Sequence, residues 1–66
     1  MVSLNRKQAY QIDKEFGAYS EFDEETGMFC VFGAQSGFCY GTFLDVGAAS
    51  DYGVELHEEL MKYARP

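Results

Sequence analysis

The order of predicted elements, helix-strand-strand-strand-helix, puts this chain in the α+β class, with a three-stranded antiparallel sheet packed by two helices. Three observations predict it. Residues 28–44 hold two runs rich in Phe, Val, Tyr and Cys around a Gly-containing break, the pattern of a β-hairpin. Residues 18–23 alternate between apolar and polar side chains as a half-buried strand does. The segments before and after these strands have helical spacing. A length of 66 residues predicts one domain, residues 1–66.

The first helix is predicted over residues 4–16. Either Ser3 or Asn5 is suited to cap it, and Gln8 follows Asn5 by three positions, as in a capping box. The apolar residues of the segment fall near one helical face: Leu4, Ala9, Ile12 and Phe16. We expect that face to be buried and Gly17 to end the helix at its C′ position.

The three strands are predicted at residues 18–23, 28–33 and 38–44. Gly27 suits the first turn, and Gly33 and Gly37 bracket the second, because glycine adopts positive φ at no steric cost. Gly41 interrupts the third strand and predicts a bulge or a close approach there. Residues 28–32 do not alternate, so both faces of the middle strand need cover.

The second helix is predicted over residues 50–64, with an earlier start open because Asp45 and Ser50 are both suited to cap it. Its expected buried stripe consists of Val46, Ala49, Gly53, Leu56, Leu60 and Tyr63. Gly53 within this stripe indicates close packing on the sheet, and Pro66 cannot continue a helix.

Two helices pack most easily on one face of a small sheet, which leaves the other face bare. We expect a bare aromatic face to be used, because small monomers seldom expose a large apolar patch. The sequence predicts self-association through Phe29, Val31 and Tyr40. This is the alternative function: an obligate homodimer that serves as an adaptor or assembly module.

Acidic residues are concentrated in the middle of the chain. The net charge is −6, and the stretch from Glu15 to Met61 holds ten of the eleven acids without one Lys or Arg. Such segregation bears on partners and solubility, not on fold. It predicts a partner that presents positive charge, although acidity that serves solubility alone is the simpler interpretation.

Two acidic sets are candidates for contact with that partner. The hairpin set is Glu21, Asp23, Glu24 and Glu25, and the helix set is Asp51, Glu55, Glu58 and Glu59. Together they approximate the charge array of a nucleic-acid backbone, with Tyr19, Phe22 and Tyr52 nearby in sequence. The first functional hypothesis is therefore a non-enzymatic protein that binds the basic surface of a nucleic-acid-binding protein as a nucleic-acid mimic. Small viral inhibitors of bacterial defence nucleases have similar size and acidity, so a phage-type inhibitor in the cytoplasm is expected.

The element order resembles that of double-stranded-RNA-binding domains. Those domains hold phosphates with basic residues at the start of the last helix, whereas residues 50–55 here include Asp51 and Glu55 and no base. We therefore expect no direct nucleic-acid binding. No apolar run approaches the roughly 20 residues of a membrane span, and residues 1–15 do not resemble a signal peptide, so no membrane association is expected.

Enzymatic patterns are incomplete in this sequence. In His57-Glu58-Glu59-Leu60-Met61 a Met stands where zinc proteases have their second His. The turn of residues 33–37 lacks the serine position of a nucleophile elbow and the Lys of a phosphate loop. Cys30 and Cys39 are expected as reduced thiols, with one bridge across the hairpin as the alternative. We expect no catalysis, cofactor or metal, and only the aromatic sheet face supports the further idea of a small-molecule site.

Overall fold

The computed structural model describes residues 4–62. Its elements are α1 (Arg6–Asp13), β1 (Ala18–Asp23), β2 (Met28–Gly33), β3 (Cys39–Phe43) and α2 (Val46–Met61). The three strands form one antiparallel sheet in the order β1-β2-β3, so the predicted fold class is confirmed. The expectations for Ser3, Tyr63, residue 64 and Pro66 lie outside the described residues.

Helix α1 begins at Arg6, two residues after the predicted start, with Asn5 as its cap, and it ends early. The Asn5 side chain accepts a hydrogen bond from the Gln8 N–H (2.8 Å), and the Gln8 side chain accepts one from the Asn5 N–H (3.1 Å), so the capping box is present. The helix ends at Asp13 instead of residue 16, and Glu15 takes a left-handed φ of 81°. Ile12 and Phe16 are exposed, so the predicted apolar face is wrong over its second half.

Helix α2 begins four residues before residue 50. Asp45 is its N-cap, and its carboxylate accepts a hydrogen bond from the Ala48 N–H at 2.9 Å. The buried residues are Ala49, Gly53, Leu56 and Leu60, which confirms the central part of the predicted stripe. Val46, at its start, is exposed. None of the helices within residues 4–62 is long and apolar enough to cross a membrane.

Both helices pack on the same face of the sheet. The core joins residues from each layer: Ala9 of α1, Val31 of β2, Tyr40 of β3, and Leu56 and Leu60 of α2. The prediction that Phe29, Val31 and Tyr40 form an uncovered self-association face is therefore wrong. Val31 and Tyr40 are buried under the helices, and the half-buried Phe29 packs against Phe22 at a ring separation of 5.0 Å.

Neither α1 nor α2 covers the opposite face of the sheet, which is called the open face below. Side chains alternate between faces along a strand, so Tyr19, Glu21 and Asp23 share the open face with their β2 partners Phe32, Cys30 and Met28. The smallest extent of the molecule, 14 Å, is that of two layers.

A bulge in β3 brings Tyr40 into the core. The register pairs Val31 with Gly41 and Phe32 with Cys39, so Tyr40 is an extra residue on the β3 side. A Cβ at Gly41 would lie 3.3 Å from the Phe43 ring, which leaves little room for a side chain. Both predicted roles of Gly41, bulge and close approach, are confirmed.

A buried carboxylate joins α1 to the β2–β3 turn and to β3. Asp13 is fully buried and accepts four hydrogen bonds. Its Oδ1 accepts from the backbone N–H groups of Gln35 (3.0 Å) and Ser36 (2.7 Å), and its Oδ2 accepts from the hydroxyls of Ser36 and Tyr40, both at 2.7 Å. These donors replace the water that a buried carboxylate loses.

Gly33 is required by this carboxylate more than by the turn. A Cβ at Gly33 would lie 1.7 Å from the Asp13 Oδ2, which no side chain could tolerate. The sequence explained both Gly33 and Gly37 by turn geometry, but only Gly37 has a positive φ, 74°. The absence of a side chain at Gly33 lets α1 approach the end of β2.

The network shifts two pKa values. Burial is the largest influence on Asp13 and raises its pKa, but the hydrogen bonds from Tyr40, Ser36 and Gln35 together outweigh it, so the pKa lies below the usual 3.8. Burial and the Asp13 carboxylate raise the pKa of the Tyr40 hydroxyl far above its ordinary value, which keeps it a donor. Asp13 is thus an ionised acceptor in this network, and Tyr40 is a neutral donor.

Asp13→Asn is expected to lower the free energy of unfolding at pH 7 by about 2–4 kcal/mol, because an amide is uncharged and has one acceptor atom for donors on two sides. The folded-state pKa is depressed, so the carboxylate's contribution is complete above 3.8 and is lost as pH falls through the lower folded-state value. The difference in free energy of unfolding between wild type and variant should therefore narrow below about pH 4.

Urea unfolding from pH 7 to pH 2.5 measures this difference. Asp45→Asn is the matched control, because Asn caps a helix as well as Asp does and the site is exposed. A difference for Asp13→Asn that stays constant down to pH 2.5 would contradict an ionised Asp13.

Gly53→Ala is expected to raise the free energy of unfolding by about 1 kcal/mol, the cost of glycine in a helix interior. The new Cβ would lie 3.8 Å from Val31 and 4.0 Å from Ser20, which is ordinary contact. Gly27→Ala is the matched comparison: nothing lies within 4 Å, but φ is 73°, so it should destabilise by roughly 1 kcal/mol. Thermal unfolding of both variants tests the difference in sign.

Candidate partner-binding surface

The hairpin acids differ in what they do. Asp23 builds the β1–β2 turn, since its carboxylate accepts from the Glu25 N–H at 3.0 Å and from the Thr26 hydroxyl at 3.2 Å. Glu21, Glu24 and Glu25 are exposed. The hairpin set also borders a shallow concavity lined by Glu21, Phe22, Asp23, Glu24, Glu25 and Phe32. Three of the four predicted carboxylates in this set are thus free to contact a partner.

The acids of α2 all lie on its solvent side but differ in their contacts. Glu59 accepts a hydrogen bond from the Tyr10 hydroxyl at 3.0 Å and so joins the two helices. Glu58 lies on the side of α2 toward β1. Asp51 and Glu55 are exposed and, four residues apart, lie one turn from each other. The helix set therefore offers Asp51, Glu55 and Glu58 outward, whereas Glu59 has a structural partner.

The three aromatic residues that accompany these acids in the sequence are separated in space. Tyr19 and Phe22 are each about half exposed, but they lie on opposite faces of β1. Tyr52 packs against Phe43 at a ring separation of 5.4 Å, and its hydroxyl accepts a hydrogen bond from Arg6. Tyr52 is thus occupied within the fold, and only Tyr19 and Phe22 accompany the hairpin acids.

A groove of about 300 Å³ runs between β1 and α2. Its lining residues are Ala18, Tyr19, Ser20, Ser50, Gly53, Val54, His57 and Glu58. Small residues from both elements leave space for it, and the exposed Val54 forms part of its rim. The sequence analysis did not predict this groove. Its small lining residues belong to β1 and α2, which are distant in sequence, and only the tertiary packing brings them together.

His57 has a defined position beside this groove. Its Nδ1 accepts a hydrogen bond from the Ala18 N–H at 3.0 Å, which fixes the orientation of the imidazole ring. Gly17, next to Ala18, has a φ of 94°, and a Cβ there would lie 2.3 Å from the ring. The histidine thus ties α2 to the start of β1.

The described residues do not assemble the catalytic patterns weighed from the sequence. Ser36 donates its hydroxyl proton to Asp13, whereas His57 is bonded to Ala18, so the serine and the histidine belong to separate networks. Within residues 4–62, no group of three or more His, Cys, Asp or Glu side chains could hold a metal ion.

The two cysteines lie near each other on the open face without a bridge. Cys30 pairs with Thr42 and Cys39 with Phe32, so the register that a hairpin disulfide needs is absent and both thiols are free. Cys30 is buried as expected, but Cys39 is exposed. Burial raises the pKa of Cys30, and the Cys39 thiol and the carboxylates of Asp23 and Glu21 raise it further.

Comparison of the chain with protein-family models, with curated proteins and with solved structures finds no match in any of the three.

Native alkylation with iodoacetamide at pH 7.5 is expected to show one fast and one slow thiol. Cys39 is exposed, whereas Cys30 is buried with a raised pKa and carries less of the reactive thiolate. Mass spectrometry over time gives both rates, and Cys39→Ser should remove the fast reaction only. Equal rates for the two thiols in the native protein would contradict the assigned burial.

Proposed function

We propose that this protein is a non-catalytic interaction protein that binds a basic surface on a partner protein. The observation that carries the proposal is the set of exposed carboxylates on two elements, with no Lys or Arg between Glu15 and Met61 to neutralise them. Within residues 4–62, six exposed acids take no part in a turn, cap or inter-helix hydrogen bond: Glu21, Glu24, Glu25, Asp51, Glu55 and Glu58. A surface of one sign attracts a partner of the other and steers its approach.

The partner class that fits this surface is a cytoplasmic nucleic-acid-binding protein. Surfaces that bind nucleic acid carry Lys and Arg spaced to neutralise phosphates, so a dense carboxylate array competes for the same groups. Occupation of that surface would block the nucleic acid, which is how a phage-type inhibitor would act as a mimic. Binding of this kind weakens as salt increases, because the charges are exposed.

The second candidate is a homodimeric adaptor whose interface is the open face, instead of the predicted Phe29, Val31 and Tyr40. Tyr19 is 47% exposed there and packs against the half-buried Phe32 at a ring separation of 5.8 Å. Both helices pack on the other side of the sheet, so neither covers this pair. Light scattering at micromolar concentration distinguishes the candidates, since a monomeric mass counts against the dimer.

Glu24→Lys/Glu25→Lys is expected to weaken partner binding about tenfold or more, because two rim charges are reversed at the turn. Tagged wild-type protein is used to capture partners from a host lysate at low and high salt, with DNA or RNA added as competitor. The expected partner leaves at high salt and is displaced by nucleic acid. The same capture with the double variant measures the loss, and circular dichroism checks its fold.

Single variants of equal net charge provide the control. Glu24→Lys and Glu15→Lys each add the same charge, but Glu15 lies in the α1–β1 connection outside both acidic sets. Only Glu24→Lys is expected to reduce capture. Equal losses would mean that net charge alone governs binding, and unchanged capture by the double variant would remove the hairpin from the surface.

A further inference from the structure

Strand β1 is an edge strand whose outer backbone groups point to solvent. The Ala34 N–H donates to the Gly17 carbonyl at 2.9 Å, which places residues 17 and 34 at a hydrogen-bonded position of the ladder, although the Gly17 N–H itself donates to the Asp13 carbonyl. The alternation of an antiparallel ladder then directs the N–H and C=O groups of Tyr19, Glu21 and Asp23 toward β2. Those of Ser20 and Phe22 are directed to the free edge. Such an edge is a template for another strand.

His57 closes one end of this edge. The Ala18 N–H also points away from β2, and the His57 Nδ1 accepts its hydrogen bond at 3.0 Å. A strand added to β1 would therefore begin beyond Ala18 and extend toward the hairpin turn. The outer groups left for it to pair with are the Ala18 carbonyl and both backbone groups of Ser20 and Phe22.

The groove between β1 and α2 provides space beside this edge. Ser50, Gly53 and Ser20 are small, and Val54 presents an exposed apolar rim. An added strand would direct alternate side chains to this side, where small or β-branched apolar residues fit. Its other side chains would point to the open face, beside Glu21 and Asp23.

We infer that this groove binds an extended peptide segment of the partner, with alternating basic and apolar residues, as a fourth strand paired with β1. The inference rests on the proposed function, because it assigns the basic partner a binding mode. Lys or Arg would lie beside Glu21 and Asp23, and Glu58 and the turn carboxylates border the path. Backbone bonds supply affinity in this mode, and the alternate side chains supply specificity.

The same charges disfavour a second copy of the chain at this edge. Antiparallel pairing of two β1 strands about a twofold axis would place Glu21 of each copy close to its counterpart and bring two acid-rich strands together. Like charges opposite each other in a sheet are destabilising. A basic segment would pair with the outer backbone groups of β1 without that repulsion.

The test uses the full chain and the acetylated, amidated peptide Lys-Val-Lys-Val-Lys-Val, with Thr-Val-Thr-Val-Thr-Val as the uncharged control. At a peptide concentration ten times the Kd, the Ser20 and Phe22 amide protons should exchange about tenfold more slowly, because they become hydrogen-bonded in the complex. NMR also reports shift changes for the groove residues Ser50 and Val54. The control peptide should bind more weakly, since it lacks the charge.

Backbone methylation of the peptide separates strand pairing from charge attraction. One probe carries N-methyl groups on its Lys residues and another on its Val residues, at equal charge. Only one set of amides faces β1 in a paired strand, so one probe should lose binding and the other should keep it. Ser20→Pro is the corresponding variant of the protein. Like the methyl groups of the peptide it removes a backbone N–H donor, and this N–H lies on the outer edge of β1 and does not bond to β2.

The outcomes distinguish this inference from the proposed function. Equal binding of the two methylated peptides, with shifts confined to the acidic sets, would overturn strand pairing and leave charge-driven binding standing. No binding of the basic peptide at low salt would overturn the inference and count against the proposed function too. Protection of Ser20 and Phe22 that grows with protein concentration in the absence of peptide would assign the edge to a second copy.

Discussion

The fold depends on one buried carboxylate. Asp13 ends α1 and accepts hydrogen bonds from the β2–β3 turn and from Tyr40, so three segments distant in sequence meet at two oxygen atoms. A core as small as this one has few apolar residues to hold α1 in place. The carboxylate adds direction to that packing, because its acceptor positions fit only one arrangement of turn and helix.

The fold was predictable where the signal is local. The Asn5–Gln8 capping box, the bounds of β1 and β2 and the central part of the buried stripe of α2 follow from neighbouring residues, and the structure confirms them. Strand β3 is shorter by one residue at each end than the predicted 38–44. The errors arise where distant groups decide. Nothing near Asp13 in the sequence indicates its burial, because burial of a charge depends on donors more than 20 residues away, and α1 ends at this residue instead of at Phe16.

The candidate surface was predictable in composition and not in arrangement. The sequence identifies the acids, but Asp23 and Glu59 are engaged within the fold, which only the structure reveals. Likewise, alternation along β2 does not say which side the helices cover, since its apolar residues suit either side. The β-bulge at Tyr40 adds a large ring to the face that the helices cover, and the sequence pattern does not reveal it.

The close approach of Gly33 to Asp13 restricts how such a sequence can diverge. A side chain at position 33 and a carboxylate at position 13 exclude each other, because they would occupy the same space. Neither residue can change alone without either a clash or a set of buried donors left unpaired. Positions 13 and 33, which are 20 apart in the chain, should therefore covary: related sequences should keep both residues or replace both together.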